Sequence, residues 1–397
     1  MPKSHPFISF FSEKKICHLR GKIVGNPVKI ENPYGRAFYK TVFKTEFSGT
    51  KTGRFCSTRG QVVIYFPASL VEMHYPGRLY TDAQQTRGTV VVESGESLNV
   101  KGKFSQSGIF YVDNAVMARG GNLCINRIIR LRSLSRIQLK RCMYAWGGAG
   151  GLLLALLSGS REYTEHAVSD AFRNAGLAHI LALSGMHLAL FSGMAFSIGK
   201  LLGNIRIACI LKILSVCVFV WFAGFSPSLF RAFLCNIILL AVSLAGIERP
   251  SMLDILSLSF LFHAFLAPDD LTAPAFLLSY SALLGIFIFG KTVQRFLVRY
   301  MPYHIADALS SSTGAQLCTA PISLCLFGSV MPGGIIAGII VTPLVVFFLY
   351  TGLAGIVLSL CFPFLSDICG NFMKALYFCI KTAVLTFARL PSIEIVN

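Results

Sequence analysis

The hydrophobic pattern of the chain changes period once, near residue 126. Ahead of that point the apolar positions alternate with polar ones in short stretches at 21–24, 36–45, 60–66, 89–93, 98–104 and 108–112. Turn-forming clusters such as Gly25-Asn26-Pro27 and the Asn-Pro-Tyr-Gly run at 32–35 separate them. A period of two bounded by Gly, Pro and Asn reads as strands. Five or six strands at this spacing predict a small antiparallel barrel or sandwich. Beyond residue 142 the pattern becomes long apolar runs at 143–158, 177–199, 207–223, 229–247, 252–266, 274–290, 308–328 and 333–362, with a weaker one at 371–388. Crossing hydrocarbon takes ~20 apolar residues. These runs therefore predict a polytopic α-helical membrane protein of about seven to nine spans, the 333–362 run being one long span or two half-helices around Pro343. Small residues such as Gly147 and Gly151 let neighbouring helices approach closely. The reading gives three segments: a β domain over 1–125, a linker helix over 126–142 and a helical membrane domain over 143–397.

Composition agrees and adds an asymmetry. Of 397 residues 54% are hydrophobic and 14% charged, with a mean hydropathy of +0.63. About 25% charged is usual for soluble proteins, so disorder is excluded and an ordinary soluble enzyme is disfavoured. The net charge is +18, and residues 1–142 hold +15 of it. The apolar cluster at 7–11 is too short for a signal-peptide core, so the sequence shows no export route for the basic part.

Within the linker, Arg127, Arg130, Arg132, Arg136, Lys140 and Arg141 alternate with Ile and Leu and face no acid of their own segment. Such a helix is either an anchor on anionic membrane lipid that sets topology or a collar that gathers a polyanion. Charges at 162, 165, 166, 170 and 173 then put a polar face on a short interfacial helix. The run that follows carries His179, Ser184, Gly185 and His187. Polar groups inside a membrane face a neighbouring helix or a wet path, and both readings stay open here. Arg231 lies deep in the 229–247 run behind Ser226 and Pro227. It reads either as a ligand for an anion or as the partner of Glu248, Asp254 or a loop carbonyl. Gly185 and Pro227 mark either ordinary kinks or helix breaks that line a cavity.

The loop at 158–161 (Ser-Gly-Ser-Arg) and the run at 178–187 (Ala-His-Ile-Leu-Ala-Leu-Ser-Gly-Met-His) resemble the core pattern of the ComEC family of competence proteins. Further matches stand in family order at 223–232, 274–280 and 314–321, so the resemblance covers nearly all of the membrane part. The basic strand-rich part resembles the family's OB-like domain more loosely, chiefly at 95–103. The resemblance implies an inner-membrane channel for transforming DNA. Its path through the membrane would use Arg161, His179, Ser184, Gly185, His187, Ser226, Pro227 and Arg231.

Single-stranded DNA would meet the basic domain and collar at Arg36, Lys40, Lys44, Lys101, Lys103, Arg127, Arg130 and Arg132, with Tyr34, Phe38, Tyr39 and Phe104 as candidate stacking rings. Each ring taken alone is more readily a core residue. Family members commonly carry spans ahead of the OB-like domain, and many carry a C-terminal nuclease domain of metallo-β-lactamase type. Neither is present in these residues, so the nuclease and a cytoplasmic motor or helicase are expected to be separate polypeptides; a homo-oligomer is left open.

Catalytic signals are poor. Residues 285–292 match a phosphate-binding loop pattern literally, yet the variable positions are bulky and apolar at the end of a span, where a flexible loop is needed. No zinc-ligand spacing occurs among the eight His and twelve Cys. The chain is expected to be no enzyme and to need no cofactor or metal. The alternatives are a transporter for a small solute or lipid-linked substrate, which would not need the basic domain, and a membrane-embedded hydrolase using Asp170, His179 and His187. If the basic part lies outside the cytoplasm, Cys17 and Cys56 are the favoured disulfide pair. The positive-inside rule instead favours a cytoplasmic start beside the collar.

Overall fold

Alternation of buried and exposed positions builds a barrel from the first third of the chain. The computed structural model describes residues 7–12, 15–31, 37–50, 55–72, 91–105, 107–118, 123–161, 163–203, 205–224, 226–246, 250–391 and 393–394. They fall into two units: residues 1–155 with 159–164 and 356–371, and residues 156–158 with 165–355 and 372–397.

In the first unit the strands are β1 (Ile16–Glu31), β2 (Ala37–Thr50), β3 (Phe55–Ser57), β4 (Gln61–Pro67), β5 (Ser97–Phe104) and β6 (Phe110–Met117). The order β1-β5-β6-β4-β2 returns to β1 through an antiparallel β1–β2 pairing, which closes five strands into a barrel, and β3 pairs with the far end of β2. All pairings are antiparallel except β4–β6, a parallel seam made only by Ile64↔Phe110 and Tyr65↔Tyr111. Register shifts along β1 at 16/18, 20/21 and 24/28 mark bulges. Bulges coil a strand, and this long strand pairs with both β2 and β5. One turn of helix, α1 (Ala68–Glu72), follows β4. Every second residue points inward: Leu19, Tyr39, Phe43, Ile64, Phe66, Leu98, Val100 and Phe110 fill the core.

Expected strands therefore appear, mostly longer than alternation alone suggested. The exception is 89–93, whose described part, 91–93, is irregular. Val91 and Val92 are both buried in succession, which no half-buried strand allows. Their segment instead hands over to β1 through hydrogen bonds from Gly95 N–H to Ile23 O and from Ile23 N–H to Glu96 O.

The linker runs as α2 (Leu123–Tyr144), and α3 (Gly148–Ser158) follows. The second unit continues with α4 (His166–Asn174), α5 (Ala178–Leu181), α6 (Gly185–Leu201), α7 (Ile205–Ala223), α8 (Pro227–Leu244) and α9 (Met252–Leu266). Then come α10 (Pro274–Gly285), a π turn (Ile286–Gly290), α11 (Lys291–Leu297), α12 (Tyr303–Phe327), α13 (Gly334–Cys361) and α14 (Ser366–Phe387), of which residues 356–371 belong to the first unit. A two-residue pairing of β7 (Ser329–Val330) with β8 (Ile393–Glu394) completes it.

Among the described residues four helices are long and apolar enough to cross a membrane: Ile205–Ala223, Pro274–Leu297, Gly334–Cys361 and Ser366–Phe387. Three more are apolar but shorter: Gly148–Ser158, Pro227–Val242 and Met252–Leu266. Their outward rows keep large apolar side chains such as Ile210, Phe265 and Phe378 exposed, a surface suited to lipid. The 333–362 run is one helix with Pro343 inside it. The weakest run, at 371–388, belongs to one of the four long helices. The 177–199 run is broken between α5 and α6 at extended residues, Ala182 with ψ 138° and Ser184 with ψ 171°. Residues 285–292 are helical, not a loop, and Gly285 lets Gly314 of α12 approach so closely that a Cβ would stand 2.1 Å from its carbonyl oxygen.

Candidate functional site

Two helices of the second unit begin beside each other. Ser184, extended, precedes the first turn of α6, and Ser226 precedes Pro227, whose fixed φ suits the first position of α8. The Ser228 hydroxyl donates to the Leu183 carbonyl at 2.6 Å and ties the two starts together. Arg231, one turn into α8 and 8% exposed, reaches across. Its Nη2 lies 3.0 Å from where a Cβ on Gly185 would stand, and its Nη1 donates to the Ser279 carbonyl of α10 at 2.8 Å. Asp254 is exposed on α9 and does not pair with it, and Glu248 lies outside the described residues.

His187 sits in the first turn of α6, fully buried. Its Nδ1 accepts the Ser184 N–H at 3.3 Å and stands 3.2 Å from the Ser184 hydroxyl. Accepting at Nδ1 assigns the proton of the neutral ring to Nε2. Neither that Nε2 nor the Arg231 Nε finds a hydrogen-bond partner among the described residues. A helix N-terminus carries partial positive charge. A guanidinium placed against one gains from an anion or water that shares the site, and buried donors without protein acceptors can be met by either. The cluster thus sets one fixed charge beside the α6 start, which Ser184 and His187 cap reciprocally, within an apolar bundle.

Six of the eight residues expected along the membrane path meet here: Ser184, Gly185, His187, Ser226, Pro227 and Arg231. The other two do not. His179 is exposed on α5, and Arg161 is exposed in the 159–164 loop of the first unit. Asp170 is exposed on α4, and among the described residues no hydrogen bond joins it to His179 or His187. No group of three metal-ligating side chains occurs among the described residues.

On the barrel, cross-strand register assembles a second site. Lys40 of β2 is opposite Tyr65 of β4, Tyr65 is beside Tyr111 of β6, and Tyr111 is opposite Lys103 of β5. Residues so paired point to one face. The outer wall therefore carries a transverse row of two tyrosines between two lysines. Phe38 joins the rings, with centroids 5.9 Å from Tyr111 and 6.3 Å from Tyr65, and the two tyrosines are 5.3 Å apart. Lys44 lies further along β2, opposite Lys22, and Lys101 one step along β5.

Two expected stacking rings belong elsewhere. Tyr39 is fully buried in the core with its hydroxyl 3.2 Å from that of Tyr163, and Phe104 packs on Phe110 and Phe7. Tyr34 and Arg36 lie outside the described residues. Tyr65 and Tyr111 were missed, although each alternates with core neighbours and is outward by period alone.

The linker is clamped rather than free. Glu93, buried beneath α2, is bound by Arg136 at 2.9 Å and by Lys140, and Arg136 also donates to the Asn26 amide oxygen at 3.1 Å. Burial alone would raise the Glu93 pKa, but Lys140 and Arg136 outweigh it and hold the carboxyl below its usual range. For Glu96 burial prevails over Ser133 and Arg130 and raises it. Arg130 stands 3.8 Å from Glu96, and Arg132 feels Glu93. Arg127 stays exposed. Part of the basic run is thus committed to barrel acids distant in sequence. Cys17 and Cys56 carry free thiols. Strand β2 runs between them, Gly49 pairing with His18 on one side and Phe55 on the other. Two strand spacings are about 9.5 Å, beyond disulfide reach, so that pairing is not made.

An OB-like five-stranded barrel followed by helices long and apolar enough to cross a membrane places the chain among membrane proteins. The profile of the competence protein family matches residues 156–396, more than half of the chain, and the chain belongs to that family. It is 30% identical over 175 residues to ComE operon protein 3 of Bacillus subtilis (strain 168), covering 44% of this chain and 22% of that protein. It is 23% identical over 214 residues to Recombination protein 2 of Haemophilus influenzae, covering 50% and 27%. The chain thus spans about a quarter of the length of these curated relatives. No solved structure matches it.

Proposed function

We propose that this chain is a subunit of a multi-pass channel in the cytoplasmic (inner) membrane that carries single-stranded DNA into the cytoplasm during natural transformation. The observation that supports this most is the buried guanidinium of Arg231 held against the start of α6 with no carboxylate partner among the described residues. A phosphate in transit needs donors that replace water, yet a site that binds too firmly stalls the strand. One charge at a helix start meets both demands.

In this reading the barrel row receives the strand by ring stacking and lysine attraction. The shorter apolar helices and the interrupted α5–α6 pair join the four long helices to give seven to nine crossings. The chain itself performs no catalysis, and a separate nuclease and a cytoplasmic motor or helicase act with it. The competence family is what ties this anion path to DNA rather than to a small solute.

The test uses a transformable strain lacking this protein, complemented with wild type, Arg231→Lys or Arg231→Ala at matched membrane levels, and scored for nuclease-protected labelled DNA. Loss with Ala and partial retention with Lys are expected. Wild-type uptake by the Ala variant overturns the proposal.

A further inference from the structure

The barrel carries a second concavity that the tyrosine row does not use. A groove of about 530 Å³ is lined from β1, β2, β3, β5 and β6, within the size range of pockets that take small organic ligands. Two neighbouring cross-strand rows make it. One runs Phe47–Arg20–Asn99, and the other runs Phe55–Gly49–His18–Lys101–Asn114.

Gly49 leaves a gap in the second row, and the Phe55 ring lies over it: a Cβ on that glycine would stand 2.6 Å from the ring. Phe55 and Phe47 are nevertheless 65% and 43% exposed, two rings held at the mouth of a groove without a hydrophobic cover. Arg20 stands 5.9 Å from the centroid of Phe47, and the His18 ring is 6.3 Å from that of Phe55. Among the described residues no carboxylate lines the groove. Exposed rings above cations, with two carboxamides on the far wall, match a base, its phosphate and the hydrogen-bonding edge of the base.

We propose that this groove is a nucleotide subsite in which one base of a single strand stacks on Phe55 and Phe47. Its phosphate faces Lys101 and His18, and Asn99 and Asn114 meet the base edge. The inference rests on the reading that the barrel binds single-stranded DNA. Lys101 and Lys103 are alternate residues of β5 on one face, about 7 Å apart along the strand, so a strand lying on the tyrosine row continues into the groove.

The full chain in detergent is titrated with fluorescent oligo-dT of about 12 nucleotides, within the site size of OB folds, and with an abasic oligomer of equal length. Phe55→Ala and Phe47→Ala are expected to weaken oligo-dT roughly ten-fold while leaving the abasic oligomer nearly unchanged, and Phe55→Trp is expected to restore binding. If wild type binds no oligo-dT, the barrel reading itself fails and this inference with it. If Tyr65→Ala weakens binding while both Phe variants match wild type, the groove inference alone is overturned. Equal losses for both oligomers also overturn it, because the groove then contacts phosphate without a base.

Discussion

Arg231 lies against Gly185, its Nη2 3.0 Å from the point where a side chain on that glycine would begin. Contact that tight makes the glycine a seat for the guanidinium. Gly193, on the same helix, has open space around it and serves as control. Uptake of labelled DNA is expected to be unchanged in Gly193→Ala, reduced in Gly185→Ala and, in Gly185→Leu, as low as in Arg231→Ala. A charge-assisted hydrogen bond contributes about 1.5–3 kcal/mol, so the last two should fall roughly ten- to a hundred-fold. A Gly185→Leu variant with wild-type uptake would contradict the seat.

The row on the barrel separates two kinds of contact. Lys40→Ala and Lys103→Ala each remove a phosphate contact, so the plot of log affinity for oligo-dT against log salt should become shallower by about 0.7 per variant. Tyr65→Ala and Tyr111→Ala should lose about 1–3 kcal/mol at every salt concentration with the slope retained. Anisotropy titrations across a salt series read both quantities.

Glu93 ties α2 to the barrel, and its sign with pH is fixed by its depressed pKa. Its stabilisation is complete above the unfolded value near 4.5 and is lost as pH falls through the lower folded value. Glu96, raised by burial, works oppositely: what it contributes is present below the unfolded value and lost as pH rises through the folded one. Glu93→Gln should cost about 3–5 kcal/mol at neutral pH and progressively less below pH ~4, whereas Glu96→Gln should leave the thermal midpoint unchanged or higher at neutral pH. Thermal unfolding in detergent across pH distinguishes the two.

Much of this was legible in the sequence, and what was not has specific causes. The change of period near residue 126 located the barrel and the helices, and the polar residues 184–187 and 226–231 were visible because they interrupt apolar runs. Hydropathy could not show that Ser184 is extended, so one span was read where two helices stand. Arg136 and Lys140 looked like part of a lipid anchor or a polyanion collar because their partner, Glu93, is more than forty residues away. Tyr39 and Tyr65 have the same chemistry, and only strand register tells the core ring from the outward one.

A buried polar chain in the helical unit gives a further test. Tyr280 donates its hydroxyl to the Ser259 carbonyl at 3.1 Å and meets His263 Nδ1 at 3.3 Å, while His263 Nε2 meets Asp270 at 3.2 Å. The residue before it, Ser279, supplies the carbonyl that Arg231 uses. Tyr280→Phe removes the hydroxyl that donates to the Ser259 carbonyl and faces His263 Nδ1, so it should lower stability by about 0.5–1.5 kcal/mol and reduce uptake less than Arg231→Ala does. Thermal midpoints and uptake measured on the same preparations check the order.

The parallel seam of the barrel consists of two residue pairs, and one of them is Tyr65 beside Tyr111. The rings that would hold a strand of DNA therefore stand on opposite lips of the least-paired joint in the wall. A ligand stacked on both is a staple across that joint, and by linkage whatever binds the closed barrel better than the open one stabilises closure. Amide hydrogens of β4 and β6 should then exchange more slowly when oligo-dT is bound, coupling occupancy of the outer wall to the breathing of the core behind it.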